Sequence, residues 1–201
     1  MGRREENNRR TKAAIVDNAL RLFNERGYDE VTVEAITRAA GVAKGTFYSY
    51  FSLKSDIIVE EFWKIDRYYA DYASRNLRRH QGPEEKLRAF TRAQMRYVRD
   101  EVGNDSLKIL YVNQTIQRGG DKVIVNPGRQ WYRIVSGVIA EGQEAGVFRT
   151  DADAGALAYG FNRSMRSVFL DWCITDAAFD LVKEGLAHLD TWLLPALRAR
   201  R

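Results

Sequence analysis

The residues with the best-defined chemistry lie between Thr32 and Phe51, in the stretch TVEAITRAAGVAKGTFYSYF. Phe47 and Phe51 are four positions apart and would point to one side of a helix, together with Val42. The other side would present Lys44, Gly45, Thr46, Tyr48 and Ser49. A helix with such a small, polar and aromatic outer face can enter a DNA groove, where glycine lets the backbone come close. The chemistry that this stretch predicts is hydrogen bonding to bases and phosphates.

The residues before this helix predict a second helix that positions it. Thr32 can cap that helix through its hydroxyl. Val33, Ile36 and Ala40 then fall on one apolar face. Gly41 can adopt the left-handed conformation that ends a helix. We therefore predict a helix-turn-helix motif over residues 32–51.

The pattern from Gly27 to Lys54, GY-x-x-V-T-V-E-A-I-T-R-A-A-G-V-A-K-G-T-F-Y-S-Y-F-x-x-K, resembles the N-terminal domain of the TetR family of bacterial transcriptional regulators, which includes AcrR-like proteins. The resemblance covers about Arg9 to Ile58, and its most specific part is the block G-x-F-Y-x-Y-F with a lysine three residues later. The alternative is an ordinary helical hairpin with an aromatic core. Such a hairpin would not need the outward-facing polar residues of the second helix.

The resemblance implies a sequence-specific regulator that binds double-stranded DNA, and two groups of contact residues. The residues that approach bases in the major groove are predicted to be Lys44, Gly45, Thr46 and Tyr48. The residues that hold phosphates are predicted to be Thr32, Ser49, Tyr50 and Lys54. Residues 1–10 are predicted to be disordered in the free protein, and to act either as a basic N-terminal arm on the DNA or as a solvated tail.

Composition limits the class of protein. The net charge is +5, from 32 cations and 27 anions, so the chain is not a polycation and fits a regulator with few phosphate contacts better than a general nucleic-acid coat. The single cysteine, Cys173, excludes an internal disulfide framework. The charged N-terminus lacks the apolar core of a secretory signal, and no window is apolar enough for a membrane span. We expect a cytoplasmic protein.

The rest of the chain shows helical spacing and no strand-like alternation, so we predict an all-α fold of about nine helices. The first helix is expected at about Thr11–Arg26. The fourth has no Gly or Pro from Lys54 to Leu77 and is long enough to begin in one domain and end in another. A sixth helix should end near Gly119-Gly120, and residues 121–126 suit either a helix or a short extended segment.

These elements divide into a DNA-binding domain at residues 11–58 and a C-terminal ligand-binding and dimerisation domain at residues 59–201. Enzyme chemistry finds little support, because His80 and His188 lack ligand-spaced partners and Cys173 has apolar neighbours. The sequence has no nucleophile elbow, no phosphate-binding glycine loop and no zinc spacing. We therefore predict no enzyme, no cofactor and no metal.

The second domain is rich in aromatic residues, and polar residues such as Asn162, Arg163 and Arg166 lie on or near the same helical faces. An apolar cavity with a few convergent polar groups suits a small-molecule site. With the resemblance, this predicts a small, largely apolar effector that binds among Phe62, Tyr69, Phe90, Tyr111, Gln114, Trp131, Phe161, Met165 and Phe169. Any one of these residues could instead be ordinary core, and the same fold could be an architectural or interaction protein without an effector.

The resemblance also implies a homodimer, because in the family the last two helices pair with their copies in a four-helix bundle. The residues predicted for that interface are Leu157, Phe161, Val168, Trp172, Leu186, Leu189 and Leu193. The alternative is that this apolar face packs only within the subunit. A two-fold dimer predicts a near-palindromic operator, and the effector would release the repressor from it.

Overall fold

A computed structural model of the chain describes residues 2–116 and 122–199. Their helices are α1 Arg3–Arg26, α2 Val33–Ala40, α3 Lys44–Tyr48, α4 Asp56–Asn76, α5 Pro83–Tyr97, α6 Asn104–Ile116, α7 Gln130–Glu144, α8 Ala154–Ile174, α9 Leu181–His188 and α10 Leu194–Leu197. The predicted all-α fold is confirmed. Within the described ranges, extended pairing is limited to one isolated bridge between Phe148 and Arg198.

Tighter or wider helical turns connect some of these helices. A π-helical turn at Val98–Val102 follows α5, and another at Leu189–Leu193 joins α9 to α10. Within the stretch that the sequence left ambiguous, Val123–Val125 forms a 3-10 turn. The predicted end of the sixth helix at Gly119-Gly120 lies outside the described residues. Among the residues that are described, no helix combines the length and apolar character of a membrane span.

The chain divides into two compact units, Met1–Trp63 and Lys64–Arg201, so the division falls within α4. The first unit is built around side chains that the sequence pattern placed on one stripe of α1. Ile15 and Ala19 are fully buried, and so are Ile36 of α2 and Phe47 of α3. These contacts hold the three helices around one small core, which leaves the rest of α3 for solvent.

The start of α1 corrects one prediction. The helix begins at Arg3 and not near Thr11, so residues 3–10 are helical and the prediction of a disordered segment is wrong for them. Glu5 and Glu6 lie in the first turn, where the helix dipole stabilises carboxylates. Arg9 pairs with Glu6 at 2.5 Å, one turn earlier. No Gly or Pro interrupts the segment, so the helix continues into its apolar part.

A buried ion pair organises the second unit. Two guanidinium nitrogens of Arg129, Nε and Nη2, donate to Asp66 Oδ1 of α4 at 3.0 and 2.7 Å. The other carboxylate oxygen accepts the backbone N–H of Gln130 at 3.1 Å. Gln130 is the first residue of α7, so Asp66 satisfies one of the free N–H groups at that helix end. The pair therefore fixes the start of α7 against α4.

The end of α7 depends on a glycine. Phe148, which is 1% exposed, packs directly on the backbone at Gly142. A Cβ atom at Gly142 would lie 2.1 Å from Cδ2 of that ring, far inside van der Waals contact. Gly137, earlier in the same helix, has nothing within 4 Å of its ideal Cβ position. The two glycines therefore differ in packing while sharing one helix.

We expect Gly142→Ala to lower the free energy of unfolding by about 1–3 kcal/mol, because the new methyl group must displace Phe148. Gly137→Ala is the matched control, and it should raise that free energy by up to about 1 kcal/mol, since alanine favours the helix and nothing opposes it. Urea unfolding of both variants checks this. Equal effects of the two substitutions would contradict the proposed packing constraint.

Candidate functional sites

The helix-turn-helix has the local geometry that the sequence predicted. Thr32 Oγ1 accepts the backbone N–H of Ala35 at 3.2 Å and caps α2. Gly41 has φ +68° and ψ 30°, in the left-handed region that ends the helix. The backbone N–H of Val42 then donates to the carbonyl of Thr37 at 3.0 Å and closes the turn. These contacts are all local in sequence and fix the direction in which α3 begins.

The two faces of α3 differ as the spacing predicted. Phe47 is fully buried, Phe51 is 4% exposed, and their ring centroids are 5.4 Å apart. Tyr48 is 52% exposed on the other face. Among the remaining predicted DNA contacts, Thr32, Lys44, Gly45 and Ser49 are exposed, and Thr46, Tyr50 and Lys54 are half-buried.

Several of these residues have partners within the protein. Lys44 forms an ion pair with Glu34 of α2, which raises the pKa of the lysine and lowers the pKa of the carboxyl. The hydroxyl of Ser49 donates to the carbonyl of Thr46 at 2.7 Å. Lys44 must therefore exchange Glu34 for any DNA group that it binds. Their contacts with DNA stay predictions.

Lys54 has a structural role that the sequence analysis missed. Its ammonium donates to the carbonyls of Tyr28 and Val31 at 2.6 and 2.8 Å, and it lies 4.0 Å from the centroid of the Tyr28 ring. Desolvation in this position lowers the pKa of Lys54. The lysine therefore holds the connection between α1 and α2, and one N–H of the ammonium is left for the predicted phosphate contact.

The structure brings most of the predicted effector residues together in the second unit. Ring centroids follow one another from Tyr69 to Phe90 at 5.4 Å, from Phe90 to Trp131 at 6.5 Å and from Trp131 to Phe161 at 5.8 Å. Met165 and Phe169 are buried as well, while Tyr111 and Gln114 of α6 are half-buried. Phe62 belongs to the first unit. The rings form one aromatic cluster of α4, α5, α7 and α8.

Buried polar atoms accompany this cluster. Five of them have no hydrogen-bond partner among the described residues, and they are Gln94 Oε1, Trp131 Nε1, Tyr132 OH, Asn162 Oδ1 and Arg166 Nε. Asn162 and Arg166 are recognisable in the sequence as polar residues near aromatic faces, whereas Tyr132 is not. Its signal in the sequence is only that it follows the core residue Trp131.

Five of the seven residues predicted for the dimer interface are buried within a single chain. Phe161, Val168, Trp172, Leu189 and Leu193 are at most 8% exposed within a single chain. α8 packs on α7, and α9 packs on α5, which covers these side chains inside the subunit. The place of these five residues in the interface stays a prediction, and a single chain already covers most of their surface. Leu157 and Leu186 are half-buried and stay candidates.

The exposed face of α8 and of the segment after it carries other apolar side chains. Leu170 is 43% exposed, Ile174 is 68% exposed and Trp192 is 67% exposed. A surface groove of about 370 Å³ lies beside Trp192, and its lining includes Ser167, Val168, Asp171, Phe179, Glu184, Ala187, His188 and Thr191. A single chain leaves this apolar surface uncovered.

The helix α3 has an exposed face and follows a helix that ends at a glycine, as in a DNA-binding helix-turn-helix. Together with the helical unit that follows, this arrangement is typical of a DNA-binding regulator of transcription. Residues 15–60 match the sequence model of the bacterial regulatory proteins of the tetR family. These residues therefore form a DNA-binding domain of the TetR type, as the motif from Gly27 to Lys54 predicted.

Several transcriptional regulators are similar to this chain along most of its length. The fatty acid metabolism regulator protein of Bacillus subtilis is 24% identical over 170 residues, which cover 84% of this chain and 86% of that protein. FadR of Thermus thermophilus, a transcriptional repressor solved with lauroyl-CoA, has a TM-score of 0.77 at 22% identity and covers 94% of this chain and 96% of its own. FadR of Bacillus subtilis with stearoyl-CoA has a TM-score of 0.69 at 22% identity, covering 93% and 100%. The two structures support the fold.

We expect substitutions at Tyr48 and Lys54 to separate base reading from structural support. Tyr48→Ala should leave stability unchanged, because the side chain is exposed, and should reduce the preference for operator over random DNA. Lys54→Ala should lower the free energy of unfolding by about 1–2 kcal/mol, because two carbonyls lose a charged donor. It should also weaken binding to both DNAs alike and reduce the salt slope by about one.

Fluorescence anisotropy at several salt concentrations measures the binding, and urea unfolding measures the stability. Undiminished selectivity of Tyr48→Ala would show that α3 presents a different face to the bases. Wild-type stability of Lys54→Ala would show that its two carbonyl contacts contribute nothing.

Proposed function

We propose that the protein is a homodimeric repressor that a fatty acyl ligand releases from a near-palindromic operator. The observation that carries the DNA-binding part is the exposed α3 face beside a fully buried Phe47. Two such faces related by a two-fold axis would meet successive major grooves, about 34–36 Å apart. We expect this protein to act in the cytoplasm, where its operator would be.

The ligand class is supported by the interior of the second unit and by the relatives. The aromatic cluster offers a broad apolar surface, which suits a long hydrocarbon chain. Two relatives of the same fold were solved with lauroyl-CoA and stearoyl-CoA. We therefore propose that an acyl chain lies against Trp131, Phe161 and Met165. We propose Tyr69, Phe90 and Phe169 as further residues of that site, with Tyr111 and Gln114 as candidates from α6, whereas Phe62 belongs to the first unit.

The proposed partner for the exposed apolar face is a second copy of the chain. Ile174 and Trp192 lie on α8 and on the segment after α9, the part of the chain that pairs between subunits in the family. A groove next to an exposed tryptophan can accept a side chain from a two-fold related copy, because each surface in such an interface meets itself. This proposal adds Ile174 and Trp192 to the residues of the sequence-based prediction, of which Val168 lines the same groove.

The second candidate function is an architectural DNA-binding factor without an effector. It is favoured by the close ring contacts within the aromatic cluster, which are those of an ordinary core. The relatives are transcriptional regulators and not enzymes, so we propose no reaction. A ligand-release experiment distinguishes the two candidates.

We expect lauroyl-CoA to release the protein from DNA of its operator, with half-release at micromolar ligand and no effect of coenzyme A alone. The operator is first selected from random duplexes with the purified protein and then used in fluorescence anisotropy. Selection of a near-palindromic site followed by complete indifference to lauroyl-CoA, stearoyl-CoA and free fatty acids would favour the architectural factor. Failure to select any sequence would contradict the regulator itself.

We expect Trp192→Glu to dissociate the dimer, because it places a charge in an apolar seam while the side chain is exposed in the single chain. Val112→Glu is the matched control, since Val112 is 54% exposed on α6, and it should stay dimeric. Light scattering after gel filtration gives the mass, and circular dichroism confirms that both variants fold. A dimeric Trp192→Glu variant with intact operator binding would mean that another surface forms the interface.

A further inference from the structure

We infer that Arg166 and Tyr132 donate hydrogen bonds to the charged head group of the effector in an anion-binding subsite, and that Asn162 Oδ1 beside them accepts a hydrogen bond from a donor of the ligand or from a bound water. The inference rests on the proposed ligand-responsive function and specifies the chemistry of its ligand. The ligand would combine an apolar chain with an oxygen-rich anionic group, either a carboxylate or a phosphate. The sequence alone assigns no role to Arg166.

The first observation is that these three residues share a lack of partners. Arg166 Nε, Asn162 Oδ1 and Tyr132 OH are buried atoms with no hydrogen-bond partner among the described residues. Asn162 is 7% exposed and Tyr132 is 6% exposed. Buried polar groups in native proteins nearly always have a partner, because an unmet one is costly. Partners for these atoms are therefore expected from outside the chain, either water or a ligand.

The second observation is that the three residues converge. Asn162 and Arg166 are four positions apart, so they lie one turn apart on the same face of α8. Tyr132 comes from α7, which packs along α8. The charge of Arg166 acts on the hydroxyl of Tyr132 and also on that of Tyr111 from α6. Two helices, α6 and α7, thus place hydroxyl groups within electrostatic reach of a guanidinium on α8.

The third observation is the charge balance around Tyr132. Arg129, Arg163 and Arg166 all act on its hydroxyl. Arg129 is neutralised by Asp66, and Arg163 lies on the ring of Tyr159, 4.6 Å from its centroid. Arg166 has no carboxylate partner among the described residues. A half-buried guanidinium without a counter-ion favours an anion, and its planar donors match carboxylate and phosphate oxygens.

The hydroxyl groups would be in the state that an anion requires. Burial raises the pKa of Tyr132 and of Tyr111 above the ordinary value for tyrosine. Both groups are therefore protonated at neutral pH and can donate hydrogen bonds. A donating hydroxyl beside a guanidinium stabilises a negatively charged oxygen, but it adds little binding free energy for a neutral ester or a hydrocarbon.

The neighbours of these residues explain why the ligand would also need an apolar part. Trp131 precedes Tyr132, Phe161 precedes Asn162, and Met165 precedes Arg166, and all three preceding side chains are buried in the aromatic interior. The polar subsite therefore borders the apolar cluster on two helices. An amphipathic molecule fits both parts at once, whereas inorganic phosphate would meet only the subsite.

Arg166→Met tests the inference, because it keeps a long apolar side chain and removes only the charge and its donors. Tyr132→Phe is a second variant that removes a single hydroxyl and should fold normally. The matched control is Arg133→Met, since Arg133 is an exposed arginine of α7. Isothermal calorimetry on the full-length dimer uses laurate, lauroyl-CoA and the neutral 1-dodecanol, with operator binding measured in parallel.

We expect wild type and Arg133→Met to bind an anionic probe more tightly than dodecanol by about tenfold or more. Arg166→Met should lose that difference while it keeps dodecanol binding and operator binding, and Tyr132→Phe should lose part of it. A loss for laurate alone identifies a carboxylate, and a loss for lauroyl-CoA alone identifies a phosphate. Equal affinities of wild type and Arg166→Met for both anionic probes would overturn the inference.

The proposed function fails in a different way. Dodecanol could release the wild-type protein from its operator as well as the anionic probes do. That result would support the effector function, but it would contradict the anion subsite, whose polar atoms would then bind only water. If no probe binds while operator binding is intact, both the effector and its subsite are refuted, and the architectural function is left.

Discussion

The buried pair between Asp66 and Arg129 is the interaction on which the second unit depends. Removing either partner would leave an isolated charge in the interior, which typically costs about 3–5 kcal/mol. The same carboxylate caps the first N–H of α7, so the charge pair also sets where that helix begins. Trp131 and Tyr132 follow at once, and their directions are therefore determined by a polar contact. The pair therefore determines the positions of Trp131 in the aromatic cluster and of Tyr132 in the proposed anion subsite.

The first unit uses its cations differently. Lys44 pairs with Glu34, and Lys54 donates to two loop carbonyls, so two of the predicted DNA contacts already have partners in the free protein. A phosphate that binds Lys44 must replace an existing ion pair, which reduces the net gain in free energy. The reduction is small, because an exposed ion pair contributes at most about 1 kcal/mol, and the two helix-turn-helix motifs of a dimer would add their contacts. Modest net charge and dimerisation are consistent with each other in this respect.

The sequence predicted best what is local. The turn at Gly41, the Thr32 cap and the two faces of α3 each depend on residues a few positions apart, and all three are observed. Residues 3–10 were mistaken for a disordered tail because they lack an apolar pattern, although ion pairs and helix-forming residues suffice there. The sequence pattern does not decide the dimer face, for another reason. Leu189 and Trp192 occupy nearby positions of one apolar segment, yet the first is fully buried and the second is 67% exposed. Periodicity identifies an apolar stripe, but only packing decides what covers it.

Two arginines of the second unit, Arg129 and Arg166, differ in whether the chain supplies a partner for their charge. Arg129 pairs with a carboxylate of its own chain, so its charge is neutralised without a ligand and the pair stabilises the fold. Arg166 lies on a neighbouring helix beside the same tyrosine, but the described residues offer it no such partner. A ligand that supplies the missing anion would stabilise the conformation in which α6, α7 and α8 converge on that guanidinium. A ligand shifts a conformational equilibrium only by binding one conformation more tightly than the other. An anion bound to Arg166 would favour the conformation in which the three helices converge, because only that conformation surrounds the anion with donors.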